Sequence, residues 1–144
     1  MGGHALTEGL TERKCIHDYL KIKTNVFSKL DEQSLISIYA IKEMPDKESF
    51  GDLDLLVHFT DPCISNMSDL RQLLKDVFNP TEIVRSGNII SIDVERFQVD
   101  FITCDPEYLD IHLFCLNYGD RGMILGISIL AVIGLFVRYY LPLL

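Results

Sequence analysis

The chain has 144 residues and a formal net charge of −8, because it contains 13 Lys and Arg residues and 21 Asp and Glu residues. Hydrophobic residues make up 48% and charged residues 24%, which supports a packed core and excludes a disordered, collagen-like or low-complexity protein. The acidic balance argues against tight binding to duplex DNA, since neutralisation of its phosphates requires clustered Lys and Arg.

The first part of the chain is predicted to hold one or two helices and two strands. Apolar residues recur at steps of three to five between residues 6 and 30, which predicts the helices. The β-branched and aromatic residues of 35–41 predict a strand, and a polar loop follows at 42–51. The apolar run 53–59, interrupted by Asp54, predicts a buried strand.

The second part is predicted to add a helix, several short strands and a further helix. Ser65 or Ser68 can cap a helix that ends near Phe78. Strands at 82–85, 88–95 and 97–103, with a hairpin at Glu95-Arg96, and a helix at 106–118 complete the set of predicted elements. This order predicts an α/β or α+β fold, in which a mixed sheet has helices packed on one side.

The cysteines indicate a reducing compartment. Four of them lie far apart and form no Cys-x-x-Cys pair: Cys15, Cys63, Cys104 and Cys115. The N-terminus also lacks the basic start and apolar stretch of a signal peptide. Reduced and mostly buried thiols in a cytoplasmic location are therefore expected.

An acidic motif stands in the predicted strands. Asp52 and Asp54 are two residues apart, so in a strand both carboxylates project from the same face. Like charges this close raise each other's pKa, and a divalent cation such as Mg²⁺ is the natural partner of their oxygens. Gly51 allows a sharp turn and close approach of a ligand. Asp100 lies within the apolar strand 97–102, where an unpaired charge is costly, so adjacent strands would gather three carboxylates into a two-metal site.

These two segments resemble a known family. Ser-Phe-Gly-Asp-Leu-Asp-Leu-Leu-Val (49–57) is similar to the Gly-Asp-x-Asp segment of nucleotidyltransferases of the DNA polymerase beta type, particularly the family X polymerases. Phe-Gln-Val-Asp-Phe-Ile (97–102) is similar to the strand that carries the third catalytic acid of that family. The resemblance covers about residues 35–105, the palm domain, and extends more faintly to about residue 120.

The resemblance implies transfer of a nucleoside monophosphate from an NTP or dNTP to a hydroxyl of a nucleic-acid acceptor, which would be weakly bound. Asp52 and Asp54 would hold two Mg²⁺ ions, with Mn²⁺ as an alternative cofactor. Asp100 would complete the metal on the nucleophile side and help to deprotonate the 3′-hydroxyl. The residues implied to contact the nucleotide are Lys47, Ser49 and Gly51, and Tyr118-Gly119 resembles the turn that contacts the incoming sugar.

The chain departs from the family where the first strand ends. Family members usually carry Gly-Ser about ten residues before the first Asp, and Ile41-Lys42-Glu43-Met44 stands in this stretch instead. Backbone amides and cations stabilise transferring phosphates, whereas the charge of Glu43 would repel them. Low activity, a different donor and acceptor, or an impaired relative that binds a nucleotide or a protein therefore stay open.

An apolar segment, 122–144, follows a nucleotidyltransferase-like domain predicted at 1–121. Its first sixteen residues carry no charge. A membrane helix needs about 20 apolar residues, and the segment reaches that length when it is counted through Arg138, with tyrosines at the interface. We expect a helix that packs on the domain, mediates homo-oligomer formation, or serves as a tail anchor in a membrane.

Overall fold

The computed structural model describes residues 5–7 and 11–117, which form a mixed α+β structure. The strands are β1 (Lys14–Cys15), β2 (Ile36–Ala40), β3 (Ser49–Phe50), β4 (Asp52–Phe59), β5 (Ile83–Ser86), β6 (Ile89–Val94) and β7 (Phe97–Thr103). The helices are α1 (Ile16–Asp31), α2 (Met67–Phe78) and α3 (Leu109–Leu116), with a 3₁₀ turn at Pro106–Tyr108 before α3. The predicted α+β class is confirmed.

The larger sheet has the strand order β2-β4-β7-β6-β5, and β1 and β3 form a separate pair. Within the larger sheet, β4 and β7 run parallel and the other neighbours run antiparallel. A parallel pair needs a long crossover connection, which α2, β5 and β6 supply here. The register sets Asp52 opposite Gln98 and Asp54 opposite Asp100. The two acid-bearing strands are therefore direct neighbours.

One face of the larger sheet carries the hydrophobic core. Leu53, Leu55 and Val57 of β4 belong to this core. The two long helices contribute residues at the three- and four-residue spacing of an amphipathic helix, namely Tyr19, Ile22, Val26 and Leu30 from α1 and Leu70, Leu73 and Leu74 from α2. Because side chains alternate along a strand, Asp52 and Asp54 lie on the opposite face of β4.

Helix α2 begins and ends at asparagines. The Asn66 side chain accepts hydrogen bonds from the backbone N–H groups of Ser68 and Asp69, at 2.8 and 3.1 Å. Asn79 ends the helix in the left-handed conformation, with φ of 44°. The predicted serine cap is wrong. Asn66 is the N-cap, because its extended backbone directs the side-chain oxygen Oδ1 towards the free N–H groups of the first turn. Ser65 instead donates its N–H and hydroxyl to the Asp69 carboxylate.

The N-terminal helix is shorter than predicted. Helix α1 begins at Ile16, although the apolar periodicity extends from about residue 6. Lys14 and Cys15 pair with Phe50 and Ser49 as a short antiparallel ladder. Periodicity within one segment carries no information about a partner strand elsewhere in the chain, so this pairing was not predicted.

The predicted helix 106–118 is present as the 3₁₀ turn and α3, which ends at Leu116. The predictions for Tyr118-Gly119 and for 122–144 lie outside the described residues. None of the helices in the described ranges combines the length and apolar character needed to cross a membrane. Cys15 and Cys63 are exposed and Cys104 and Cys115 are part-buried, so the expectation of mostly buried thiols is wrong.

Candidate metal centre

Three carboxylates come together on the sheet face opposite the core. One oxygen each of Asp52, Asp54 and Asp100 lies within 4.8 Å of the other two, and all three residues are part-buried. Alternation along β4 brings the first two to one face, and the parallel register sets Asp100 directly opposite Asp54. The fold therefore gathers the three acids that the sequence singled out.

Burial and like charges make the Asp54 carboxyl hard to ionise. Its pKa rises from 3.8 to about 7, and burial is the largest cause. The neighbouring negative charges add to the rise, in decreasing order those of Asp52, Asp100 and Glu43. The Lys47 ammonium opposes it. A divalent cation between the carboxylates would favour the ionised form and so remove this penalty.

The Asp100 carboxylate is held by hydrogen bonds. Gln98 Nε2 donates to both of its oxygens, at 3.0 and 2.9 Å. Ser91, which lies opposite Asp100 on β6, also forms a side-chain hydrogen bond with it. Burial raises the pKa of Asp100 and the charge of Asp52 adds to the rise, whereas the hydrogen bonds with Ser91 and Gln98 lower it. These bonds stabilise an ionised carboxylate in one orientation.

A fourth carboxylate, Glu43, lies close enough for its charge to raise the pKa of Asp54. Its Oε1 accepts a hydrogen bond from the Tyr19 hydroxyl at 2.8 Å, and its Oε2 pairs with Lys47 Nζ at 2.8 Å. Lys47 Nζ also lies 4.9 Å from the centre of the Phe50 ring. Lys47 is thus already engaged, and the predicted contact with a nucleotide would require it to leave Glu43.

The other two predicted nucleotide-binding residues directly precede Asp52. Ser49 accepts two hydrogen bonds from the Arg13 guanidinium, from Nε to its Oγ at 3.1 Å and from Nη2 to its carbonyl at 2.7 Å. Gly51 forms a buried bend between β3 and β4. The Arg13 contact ties Ser49 to the segment that precedes β1.

His58 lies further along β4 on the same face as Asp52 and Asp54, as the alternation predicts. Its ring stacks on Tyr39 with centroids 5.8 Å apart. Its Nδ1 is buried, and it has no hydrogen-bond partner within the described ranges. The stacking gives His58 a packing role beside Tyr39.

The donor set fits a hard divalent cation. Mg²⁺ and Mn²⁺ bind carboxylate oxygens in preference to nitrogen or sulfur. Oxygens gathered within 4.8 Å are close enough to bridge two ions, which in two-metal enzymes lie about 4 Å apart. The cost of ionising Asp54 points the same way, because a bound cation would offset it.

The polar residues that contact Asp100, Glu43 and Ser49 were not anticipated from the sequence. Gln98 lies two residues before Asp100, so strand alternation alone puts both on one face and could have identified it. Ser91, Tyr19 and Arg13 come from other parts of the chain. No spacing in the sequence relates these three to the acidic motif.

No protein-family model matches the chain, and no curated protein matches it in sequence. The resemblance to nucleotidyltransferases of the polymerase beta type therefore stays a prediction. A functional assignment has to be argued from the geometry of the three carboxylates and the groups around them.

Proposed function

We propose that the chain is a nucleotidyltransferase, which transfers a nucleoside monophosphate from an NTP or dNTP to a hydroxyl of a nucleic-acid acceptor. The observation that carries the proposal is the gathering of Asp52, Asp54 and Asp100 on adjacent parallel strands, with oxygens within 4.8 Å of one another. Two divalent cations held there would activate the attacking hydroxyl and neutralise the leaving pyrophosphate.

The resemblance to the polymerase beta type implies a role for each carboxylate in the proposed reaction. Asp52 and Asp54 project from one strand and would hold both ions, whereas Asp100 would hold the ion on the acceptor side. In the reaction, the acceptor oxygen bonds to the α-phosphorus. The bond between the α-phosphorus and the oxygen that bridges it to the β-phosphorus breaks. The acceptor proton would pass towards Asp100, and pyrophosphate leaves with the electron pair of the broken bond.

The carboxylate of Glu43 sets this site apart from the family it resembles. Glu43 pairs with Lys47, a cation that would otherwise be free to contact the phosphates. Replacing Glu43 by Gln removes a negative charge and releases Lys47. We expect a lower KM for the nucleotide in Glu43→Gln, because repulsion of the triphosphate falls. A KM equal to or above that of the native chain would contradict this role.

The direct test is incubation of the chain with labelled NTPs and dNTPs, Mg²⁺ or Mn²⁺, and DNA, RNA and protein acceptors. Asp54→Asn and Asp100→Asn should each abolish transfer while the fold is retained. Asp46→Asn is a matched control, because it replaces an exposed aspartate of the loop before β3. Equal transfer by the native chain and Asp54→Asn would refute the proposal.

A second candidate function is nucleotide binding without turnover. The observation that favours it is the engagement of Lys47 by Glu43, which leaves the phosphates of a nucleotide with less positive charge to contact. Mg²⁺-dependent binding of a fluorescent NTP, lost in Asp54→Asn and with no product on any acceptor, would support it. Product formation on any acceptor would exclude it.

A further inference from the structure

Gln98 lies with the three acids on the sheet face opposite the core, where the four polar side chains form two facing pairs. It lies directly opposite Asp52, just as Asp100 lies directly opposite Asp54. Three of these four side chains are carboxylates, which can only accept hydrogen bonds when they are ionised, whereas the Gln98 amide can donate. Gln98 is also 2% exposed, so its amide must satisfy both of its ends inside the protein.

Both ends of the Gln98 amide have partners. Its Nε2 donates to the two oxygens of Asp100, and its Oε1 accepts from the backbone N–H of Ala5 at 3.0 Å. The orientation of the amide is unambiguous, because a carboxylate accepts and a backbone N–H donates. The next residue, Leu6, is buried, and the Thr7 N–H donates to Glu82 at 3.0 Å. The segment 5–7 is thus attached to the sheet on both sides of Leu6.

We propose that Gln98 is a positioning residue for the metal centre, which holds the Asp100 carboxylate in its ligating orientation and is itself braced by the backbone of Ala5. The inference rests on the proposed metal site and adds a role for the segment 5–7. Outer-shell partners of ligating carboxylates fix the ligand rotamer before the metal arrives, and their loss typically weakens metal affinity about 10- to 100-fold.

The test measures the dissociation constant of Mn²⁺ alone, by electron paramagnetic resonance on the full chain. Gln98→Met keeps the length of the side chain but cannot donate, so we expect Mn²⁺ to bind roughly tenfold more weakly or worse. Ala5→Pro removes the bracing N–H at an exposed residue, and we expect about a threefold loss. Gln72→Met is the control, because Gln72 also donates to a carboxylate, that of Asp76, but on the exposed face of α2. It should bind Mn²⁺ like the native chain.

Urea unfolding of each variant separates positioning from packing. A purely structural role would lower the free energy of unfolding and leave the Mn²⁺ dissociation constant of the folded protein unchanged, which would overturn the proposal. If Gln98→Met does not fold, Ala5→Pro decides: a dissociation constant equal to the native one overturns the proposal, and a weakened one supports it.

Asp54→Asn, measured in parallel, distinguishes a failure of the positioning role of Gln98 from a failure of the proposed metal site. If it loses Mn²⁺ and Gln98→Met does not, the positioning role is wrong and the proposed metal site stands. If the native chain and Asp54→Asn bind Mn²⁺ equally, or neither binds it, the proposed site fails and the role of Gln98 fails with it.

Discussion

Replacing Asp54 by Asn should stabilise the metal-free protein at alkaline pH and do so much less at acidic pH. The part-buried Asp54 carboxyl lies beside the charges of Asp52 and Asp100, and its pKa in the folded chain is about 7 instead of 3.8. At pH values between these two pKa values, the folded chain therefore keeps a proton on Asp54 that the unfolded chain has lost. Stability from this group is present at low pH and is lost as the pH rises through about 7.

The magnitude follows from proton linkage. With a pKa of 3.8 in the unfolded chain and about 7 in the folded chain, the free energy of unfolding falls by about 2.5 kcal/mol between about pH 5 and about pH 8. Asparagine carries no titratable proton, so the variant lacks this contribution. The stability difference between the variant and the native chain should grow by the same amount across that range.

The assay is urea unfolding of both chains at the two pH values, with EDTA present. Asp46→Asn, at an exposed loop position, should keep the pH dependence of the native chain. Replacing the EDTA by free Mg²⁺ at about ten times its dissociation constant should restore about 1.4 kcal/mol to the native chain at about pH 8, and much less to Asp54→Asn. Parallel pH profiles for the native chain and Asp54→Asn would refute the electrostatic account.

Three further changes test the fold by urea denaturation followed by circular dichroism. Arg96→Gly should raise the free energy of unfolding by about 0.5–1 kcal/mol, even with the loss of a surface ion pair, because Arg96 has φ of 61° in the β6–β7 turn. Arg85→Gly, within strand β5, should lower it, so equal effects would contradict the turn assignment. Asn66→Ala should cost about 1 kcal/mol, since it removes the cap of α2; an unchanged midpoint would argue against that cap. Leu55→Ala, at a fully buried site, should cost about 3 kcal/mol, whereas Leu20→Ala, at a half-exposed site, should cost under about 1 kcal/mol.

The central strands were the easiest part of the fold to predict. The apolar runs at 53–59 and 97–103 lie within one residue of β4 and β7 as observed, because apolar residues at every second position fit strands with one face in the core. The N-terminal helix was less predictable. Its periodicity continues through Lys14 and Cys15, but these residues pair with β3. A distant partner strand overrides local periodicity wherever it offers the backbone an alternative set of hydrogen bonds.

From the amino-acid sequence alone, Asp52 and Asp54 can be placed on one face of a strand and Asp100 within another apolar strand. Both conclusions need only the two-residue period of an extended chain. That these strands are parallel neighbours, with Asp54 opposite Asp100, is seen only in the folded chain. The folded chain also brings Glu43 close enough for its charge to raise the pKa of Asp54. The pairing of β4 with β7 depends on contacts between segments far apart in the chain, and no local pattern encodes it.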